Sequence, residues 1–368
     1  MSKKLLALLL ILLAVFSAGC KENNTEQDDV SQKTDSTATV VEDETPEKAP
    51  EPPPEKEPEI TYINPLTGLE TTKDLTTKRP ITVMINNLRD ALPQVGISRA
   101  DIVYEILEEG GITRLLCVFN DFEDIPELGS IRSTRDYYID VADAHDAILV
   151  HAGGSTYAYS DLASRHTNNI DGLYANQFYR SAERRKTMAK EHTLMISGSG
   201  LTEAISAKGY RTESDSPSPL SFGADYVKGE TLANHIQFPF SIGRNSRPYI
   251  TAFFDYNQES GEYLKGQFNS PHIDGKDGSQ LSFKNVITLT CRMNNIPGDA
   301  LGCIQVHFTG TGTGTYSVDG THREIVWKKA SRSSSYTLYE SDGETPLVLA
   351  PGKSYIALVP TGTEITLN

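Results

Sequence analysis

The sequence predicts an α+β N-terminal domain built on a mixed sheet, followed by a mostly β C-terminal domain, a sandwich or a strongly twisted sheet. Three observations predict it. Between residues 79 and 155, apolar β-rich runs at Ile81–Ile85, Ile102–Leu107, Ile112–Phe119 and Ala147–Val150 are separated by helical and turn-forming stretches. From about residue 245 onward, nearly every apolar run alternates with period two and ends in a Gly, Asp or Pro turn. The chain after residue 60 is also long enough for two ordinary cores.

The N-terminus reads as an address. Lys3 and Lys4 precede an unbroken apolar run, Leu5–Phe16, and then Ser17-Ala18-Gly19-Cys20. The run is short for a membrane span and has the parts of a secretory signal peptide over residues 1–19. Small residues ending at a cysteine have the form of a lipobox, with Cys20 lipidated and first in the mature chain. Ordinary cleavage or a retained anchor is the alternative. Either way the body faces the extracytoplasmic side.

Residues 20–61 read as a disordered acidic, Pro-rich tether. The stretch 21–60 carries 13 acidic and 4 basic side chains, a net of −9 within a whole-chain charge of −15. It has too little apolar surface to offset the chain entropy lost on ordering. Pro50 and Pro52–Pro54 stiffen its second half. The rest of the body stays mildly acidic, which argues against general nucleic-acid binding. No P-loop, dinucleotide fingerprint, zinc spacing or EF-hand loop is present, so no cofactor and no metal site is expected.

The first domain is expected over residues 62–243. Ile102–Leu107 and Ile112–Phe119 form a hairpin through Glu108-Glu109-Gly110-Gly111, whose paired glycines supply positive φ. In GSIRSTRDYYIDV, Ser133 followed by Asp136 has a capping-box arrangement. Arg132 and Arg135 flank that helix start. Backbone N–H groups and two guanidinium forks form a receiver for phosphate, sulfate or carboxylate, with Arg114 completing the group. Internal pairing with Glu105, Glu109, Asp136 or Asp140 is the competing reading. His151 and Ser155 of HAGGS complete the candidate site, with Asn86, Asn87, Glu105 and Glu109 as secondary polar candidates. TYAYSDLASR reads as a weak helix. Arg180, Arg184, Arg185, Lys186 and Lys190 form the densest basic stretch, a solvated face or a second contact surface for an anionic polymer. TLMIS leads into a helix that Gly209 stops.

EGGITR (Glu109–Arg114), GSIRSTR (Gly129–Arg135) and HAGGS (His151–Ser155), with RPITVMINN and ISRADIVYE, resemble the YerB-like family of bacterial lipoproteins. The resemblance runs from about residue 62 to the C-terminus and includes the order NVI, VDG, VWKK, LAPGKSYIALVP. It implies a two-domain α+β protein of unknown function on a lipidated N-terminus, and it supplies no catalytic residue. Around His192 the sequence departs from it: Glu191 and Thr193 stand where the family tends to have proline and asparagine.

The second domain, 245–368, is expected to be nearly all strand. Trp327 lies in a strand pattern and reads as core, and PHIDGKDG reads as an Asx and glycine turn or as a cation site formed by His272, Asp274 and Asp277. Cys117 reads as a buried small hydrophobe. Cys291 and Cys303 end and begin adjacent strands and pair as a disulfide if the register brings them opposite.

Two functions follow. The first is a lipid-anchored module of a Gram-positive-type cell envelope, on the membrane through Cys20, that binds or scaffolds an anionic envelope polymer, a lipid phosphate or a partner protein. The second is an envelope-polymer enzyme. SIRSTRDYYIDV followed by HAGGS is similar to the SIPRD stretch and glycine-rich turn of LytR-CpsA-Psr phosphotransferases, and Glu105 with Glu109 forms a carboxylate pair for a hydrolase. Binding is the favoured reading. Removal of Arg132 and Arg135 together is expected to abolish anion binding without lowering the melting temperature.

Overall fold

The computed structural model describes residues 60–216, 218–241 and 249–368. The leader, the lipidation of Cys20 and the tether up to residue 59 lie outside the described residues, as does the expected boundary near residues 243–245. Five strands organise the N-terminal region: β1 (Ile81–Asn86), β2 (Ile102–Leu107), β3 (Thr113–Phe119), β4 (Ile148–His151) and β5 (Asn169–Asp171). Three helices accompany them: α1 (Asp136–Ala144), α2 (Thr156–Arg165) and α3 (Gly198–Lys208). In the C-terminal region the longest strands are β6 (Asn285–Asn295), β7 (Gly310–Val318), β8 (Thr321–Lys329) and β9 (Ser354–Pro360).

These nine strands belong to one sheet of twelve. From one edge the order is Thr231–Leu232, β8, β7, β6, β9, β2, β3, β1, β4, β5. Ile304–His307 pairs with β6, and Tyr336–Glu340 pairs with β8. The sheet is mixed: β9 is parallel to both β6 and β2, and β4 is parallel to β1 and β5, while β3 is antiparallel to β1 and β2. A second sheet of six, antiparallel throughout, contains His235–Phe240, Ile250–Asn257 and Glu262–Gln267. An N-terminal region with a mixed sheet and three helices, followed by mainly antiparallel strands, is the class the sequence predicts.

The sequence explains why β1, β2 and β3 sit centrally. Every residue of all three is buried, so both faces are covered, and such strands read as continuous apolar runs. Burying a Leu, Ile, Val or Phe side chain contributes about 1.5–3 kcal/mol, which makes these runs the main stabilising stretch. The hairpin forms where predicted. Leu107 lies opposite Thr113, and Gly110 and Gly111 adopt φ of 72° and 75°. α3 stops at Gly209, in the left-handed region at φ 64°, whose N–H caps Ile205 and Ser206.

Two expectations are corrected. The helix after GSIR begins at Asp136 with Arg135 at the N-cap and no side-chain cap, so Ser133 forms no capping box. The Ser133 hydroxyl donates instead to the carbonyl of Ala152 (3.0 Å), a non-local bond. Cys291 and Cys303 are separate buried thiols. The hairpin register puts Asn295 opposite Ile304, and the Ile296 N–H bonds to Cys303 O, so Cys303 lies five positions along the strand from Cys291.

Candidate functional site

The motifs GSIRSTR and HAGGS are laced together at the end of β1 and β4. Arg132 N donates to Met84 O (3.0 Å), Ala152 N to Arg132 O (2.9 Å) and Thr134 N to Gly153 O (3.0 Å). Beside this lacing lies a cavity of about 400 Å³, walled by Arg132, Ser133, Gly153, Tyr159, Leu173 and Arg180, with Glu191 at its rim. Gly153 sits at φ 81°, a conformation that strains any residue with a side chain, and a Cβ there would press on Leu173 at 3.2 Å and on the Ser133 hydroxyl at 3.3 Å.

The three candidate arginines have different surroundings. Arg114 is buried, and its Nη1 donates to Glu108 Oε1 (2.8 Å) and to Ser133 O (2.6 Å). Arg135 grips Glu109 with Nε (3.1 Å) and Nη2, donates Nη1 to Thr134 O (2.9 Å), and stands 3.7 Å from Glu108. Burial works against the Arg135 charge, but the Glu108 and Glu109 carboxylates outweigh it and hold the guanidinium pKa up. Both arginines are therefore structural partners of the EE pair in the hairpin loop. Arg132 has no such partner. Its Nε is buried without a hydrogen bond, and no carboxylate within 4.0 Å pairs with it among the described residues. Burial, and then the charge of Arg114, push its pKa below the ordinary value.

The remaining candidates hold the scaffold. His151 is fully buried between Gly153 O at Nδ1 (2.8 Å) and Asn169 Oδ1 at Nε2 (3.2 Å), and so fixes the HAGGS turn. Ser155 caps α2, its Oγ accepting from Ala158 N (3.1 Å). Asn86 donates Nδ2 to His192 Nδ1 (2.8 Å), tying β1 to the KEHTLMIS segment. Glu105 and Asn87 belong to a buried polar cluster away from the cavity. Glu105 accepts from Thr113 Oγ1 (2.7 Å), Tyr355 OH (2.7 Å) and Asn87 Nδ2 (3.1 Å), and pairs with Lys265 (3.3 Å). Glu105 and Glu109 thus serve different clusters. In PHIDGKDG, the Asp274 carboxylate is taken by the N–H groups of Gly96 (3.0 Å), Ser98 (2.8 Å) and Lys276 (2.8 Å), and His272 joins the Lys265 cluster.

The basic stretch divides in the same way. Arg184 is structural, bonding Ala91 O, Pro93 O and His192 O, and Lys186 pairs with Glu183. Arg180 spends Nη1 on Lys190 O (2.6 Å) and otherwise faces the cavity with Arg132. Tyr159 and Leu173 were not singled out from the sequence, and Glu191 stood there only as a departure from the family pattern, because nothing local marks a helix tyrosine as the wall of a distant loop pair. A larger cavity, about 660 Å³, lies near α3, but its cations are already matched: Lys78 with Glu123, and Arg79 with Asp146.

Residues 66–211 match the family described as protein of unknown function (DUF3048), N-terminal domain, and residues 241–356 match its C-terminal domain. The chain belongs to the DUF3048 family. This DUF3048 chain is 30% identical over 298 residues to "Putative lipoprotein YerB" of Bacillus subtilis (strain 168), covering 80% of this chain and 86% of the relative. It also matches the crystal structure of the YerB protein from Bacillus subtilis with a TM-score of 0.72 and 26% identity, over 83% of this chain and 99% of that one. The resemblance carried by EGGITR, GSIRSTR and HAGGS therefore holds. Among the described residues of the DUF3048 body no helix is long and apolar enough to cross a membrane.

Proposed function

We propose that this DUF3048 protein is a lipid-anchored cell-envelope module, held on the extracytoplasmic face through Cys20, that binds an anionic envelope polymer or lipid phosphate at the Arg132 cavity. One observation carries the reading. Arg132 is the candidate arginine with no carboxylate in ion-pair contact among the described residues, and it stands in a walled cavity beside a second cation, Arg180. A half-buried guanidinium whose pKa is pushed down gains from an anion what Arg114 and Arg135 already gain from glutamates. Binding is favoured over turnover because Ser133 donates its hydroxyl to Ala152 O, and among the described residues no histidine or carboxylate is hydrogen-bonded to Ser133 or Ser155 to act as a base. The name of the Bacillus relative supports the anchor.

The test is a thermal-shift titration of the full chain in detergent with an undecaprenyl-phosphate analogue and with purified teichoic acid, at low and physiological salt. A saturable rise that weakens with salt and disappears in Arg132→Ala is expected. No rise with any envelope anion would end the reading and leave a protein–protein scaffold as its replacement.

A further inference from the structure

The wall of the Arg132 cavity is more varied than a phosphate alone requires. Arg132 and Arg180 supply cations, while Glu191 supplies a carboxylate that lies in the field of both. A carboxylate at the rim repels bare phosphate but accepts hydrogen bonds from hydroxyl groups. Tyr159 and Leu173 line the same cavity, and Tyr174 is close enough to Tyr159 to act on its titration. These three apolar side chains are unusually open: Tyr159 is 39% exposed, Leu173 53% and Tyr174 80%.

Tyr159 is also fixed in place. Its hydroxyl donates to Asp171 Oδ2 (2.7 Å), and its ring meets the His151 ring edge-on, with centroids 6.3 Å apart. The same Asp171 carboxylate accepts from Gly153 N (2.9 Å) and Leu173 N (3.0 Å). One shared carboxylate therefore orients the ring, the glycine turn and the leucine together. A ring held by its hydroxyl presents its face at little further entropic cost. Tyr179 does not take part: it precedes Arg180 on a strand, so it points to the other face, where its hydroxyl bonds Glu127 (2.8 Å).

From this combination we propose that the ligand is a glycosyl phosphate. The phosphate sits against Arg132 and Arg180, a sugar ring lies on Tyr159 and Leu173, and a ring hydroxyl donates to Glu191. The inference rests on the anion-site reading and names the chemical class of its ligand. Such a unit occurs within a phosphate-bearing wall glycopolymer and on a polyprenyl carrier. The chemistry at the site is the same in both.

Calorimetric titration of the full chain with four probes tests it: inorganic phosphate, glycerol 1-phosphate, N-acetylglucosamine and N-acetylglucosamine 1-phosphate. The sugar phosphate is expected to bind about tenfold tighter than glycerol 1-phosphate. Tyr159→Ala removes that preference while leaving phosphate binding in place, and Tyr159→Phe, which keeps the ring but loses its anchor on Asp171, retains part of it. Glu191→Gln narrows the preference by strengthening inorganic phosphate. If Tyr159→Ala fails to fold, Leu173→Ala, which removes the other side chain under the sugar, carries the same test. Displacement of the bound sugar phosphate by purified glycopolymer or by polyprenyl-linked sugar then identifies the source. Equal binding of glycerol 1-phosphate and the sugar phosphate, unchanged in Tyr159→Ala, would overturn the sugar assignment and leave the anion site standing. Failure of every anion to bind would remove both.

Discussion

Removing the Arg132 side chain breaks no hydrogen bond or ion pair recorded among the described residues, whereas removing Arg135 leaves Glu109 without its partner and Glu108 with one fewer. Breaking a buried ion pair by deleting one member costs about 3–5 kcal/mol. Urea denaturation should therefore show Arg135→Ala destabilised on that order and Arg132→Ala within about 1 kcal/mol of wild type. The expectation that both can be removed without loss of stability is thereby withdrawn for Arg135. His145 makes a second residue-scale prediction. Burial, helped by Lys329, lowers its pKa from 6.5 to about 3, with Nε2 bonded to Tyr104 OH (2.7 Å) and Nδ1 unpartnered. Its folded pKa lies below the unfolded value, so the stability it contributes is fully present above pH 6.5 and is lost as pH falls toward 3. The slope is about 1.4 kcal/mol per pH unit. Denaturation midpoints of wild type and His145→Phe should converge as pH drops from 7 to 5. Asp101 and Asp140, both raised to about 6, titrate in the opposite sense but in both proteins, and so cancel from the difference. At this scale the sequence offered three arginines without showing which are free. The Arg135–Glu109 pair is one of the internal pairings the sequence suggested, while Arg114 is held by Glu108, one position earlier and not considered there.

At the level of elements, periodicity and turn chemistry were sufficient for the hairpin, for α2 and α3, and for the C-terminal strands. Each is specified by neighbours close in the chain. Ser155 and Ser197 cap their helices, each accepting from the N–H three residues on. Ser133 does not, because Ala152, brought near only by the β1–β4 pairing, competes for its hydroxyl. Register was not readable either. A slip of one residue reverses every side chain, and only the folded hairpin fixes Asn295 against Ile304. The consequence is a thiol count. Cys117, Cys291 and Cys303 should resist a thiol reagent in the native protein and all three should react in denaturant. One reactive thiol among the three after unfolding without reductant would mean that Cys291 and Cys303 are bonded after all.

Across the molecule, the two regions share more than a linker. β9, from near the C-terminus, lies between β6 and β2, so the central hairpin is flanked by a strand from some 250 residues later. Beneath it the Glu105–Lys265 pair, both fully buried, joins the twelve-stranded sheet to the strand Glu262–Gln267 of the other sheet. Burial pulls the Lys265 pKa down and Glu105 holds it up. His272 is consistent with a neutral ring, Nε2 donating to Gln94 Oε1 (2.8 Å) and Nδ1 facing Lys265 Nζ (3.2 Å). Lys265→Met should cost about 3–5 kcal/mol, and adding Glu105→Gln should restore part of it, because the single variant strands a buried carboxylate. Equal, additive losses in that double-mutant cycle would show that the pair is not coupled. No sequence pattern announced this cluster, since Glu105, Lys265 and His272 each sit in ordinary strand or turn contexts.

The central claim is that Arg132, unlike Arg114 and Arg135, is available to an anion. Labelling the native protein with an arginine-specific dione and mapping the adducts by mass spectrometry tests this most directly. Arg132 should label, Arg114 and Arg135 should not, and saturating glycosyl phosphate or wall polymer should protect Arg132. Labelling of Arg132 that no envelope anion reduces, or equal labelling of all three arginines, would contradict the account.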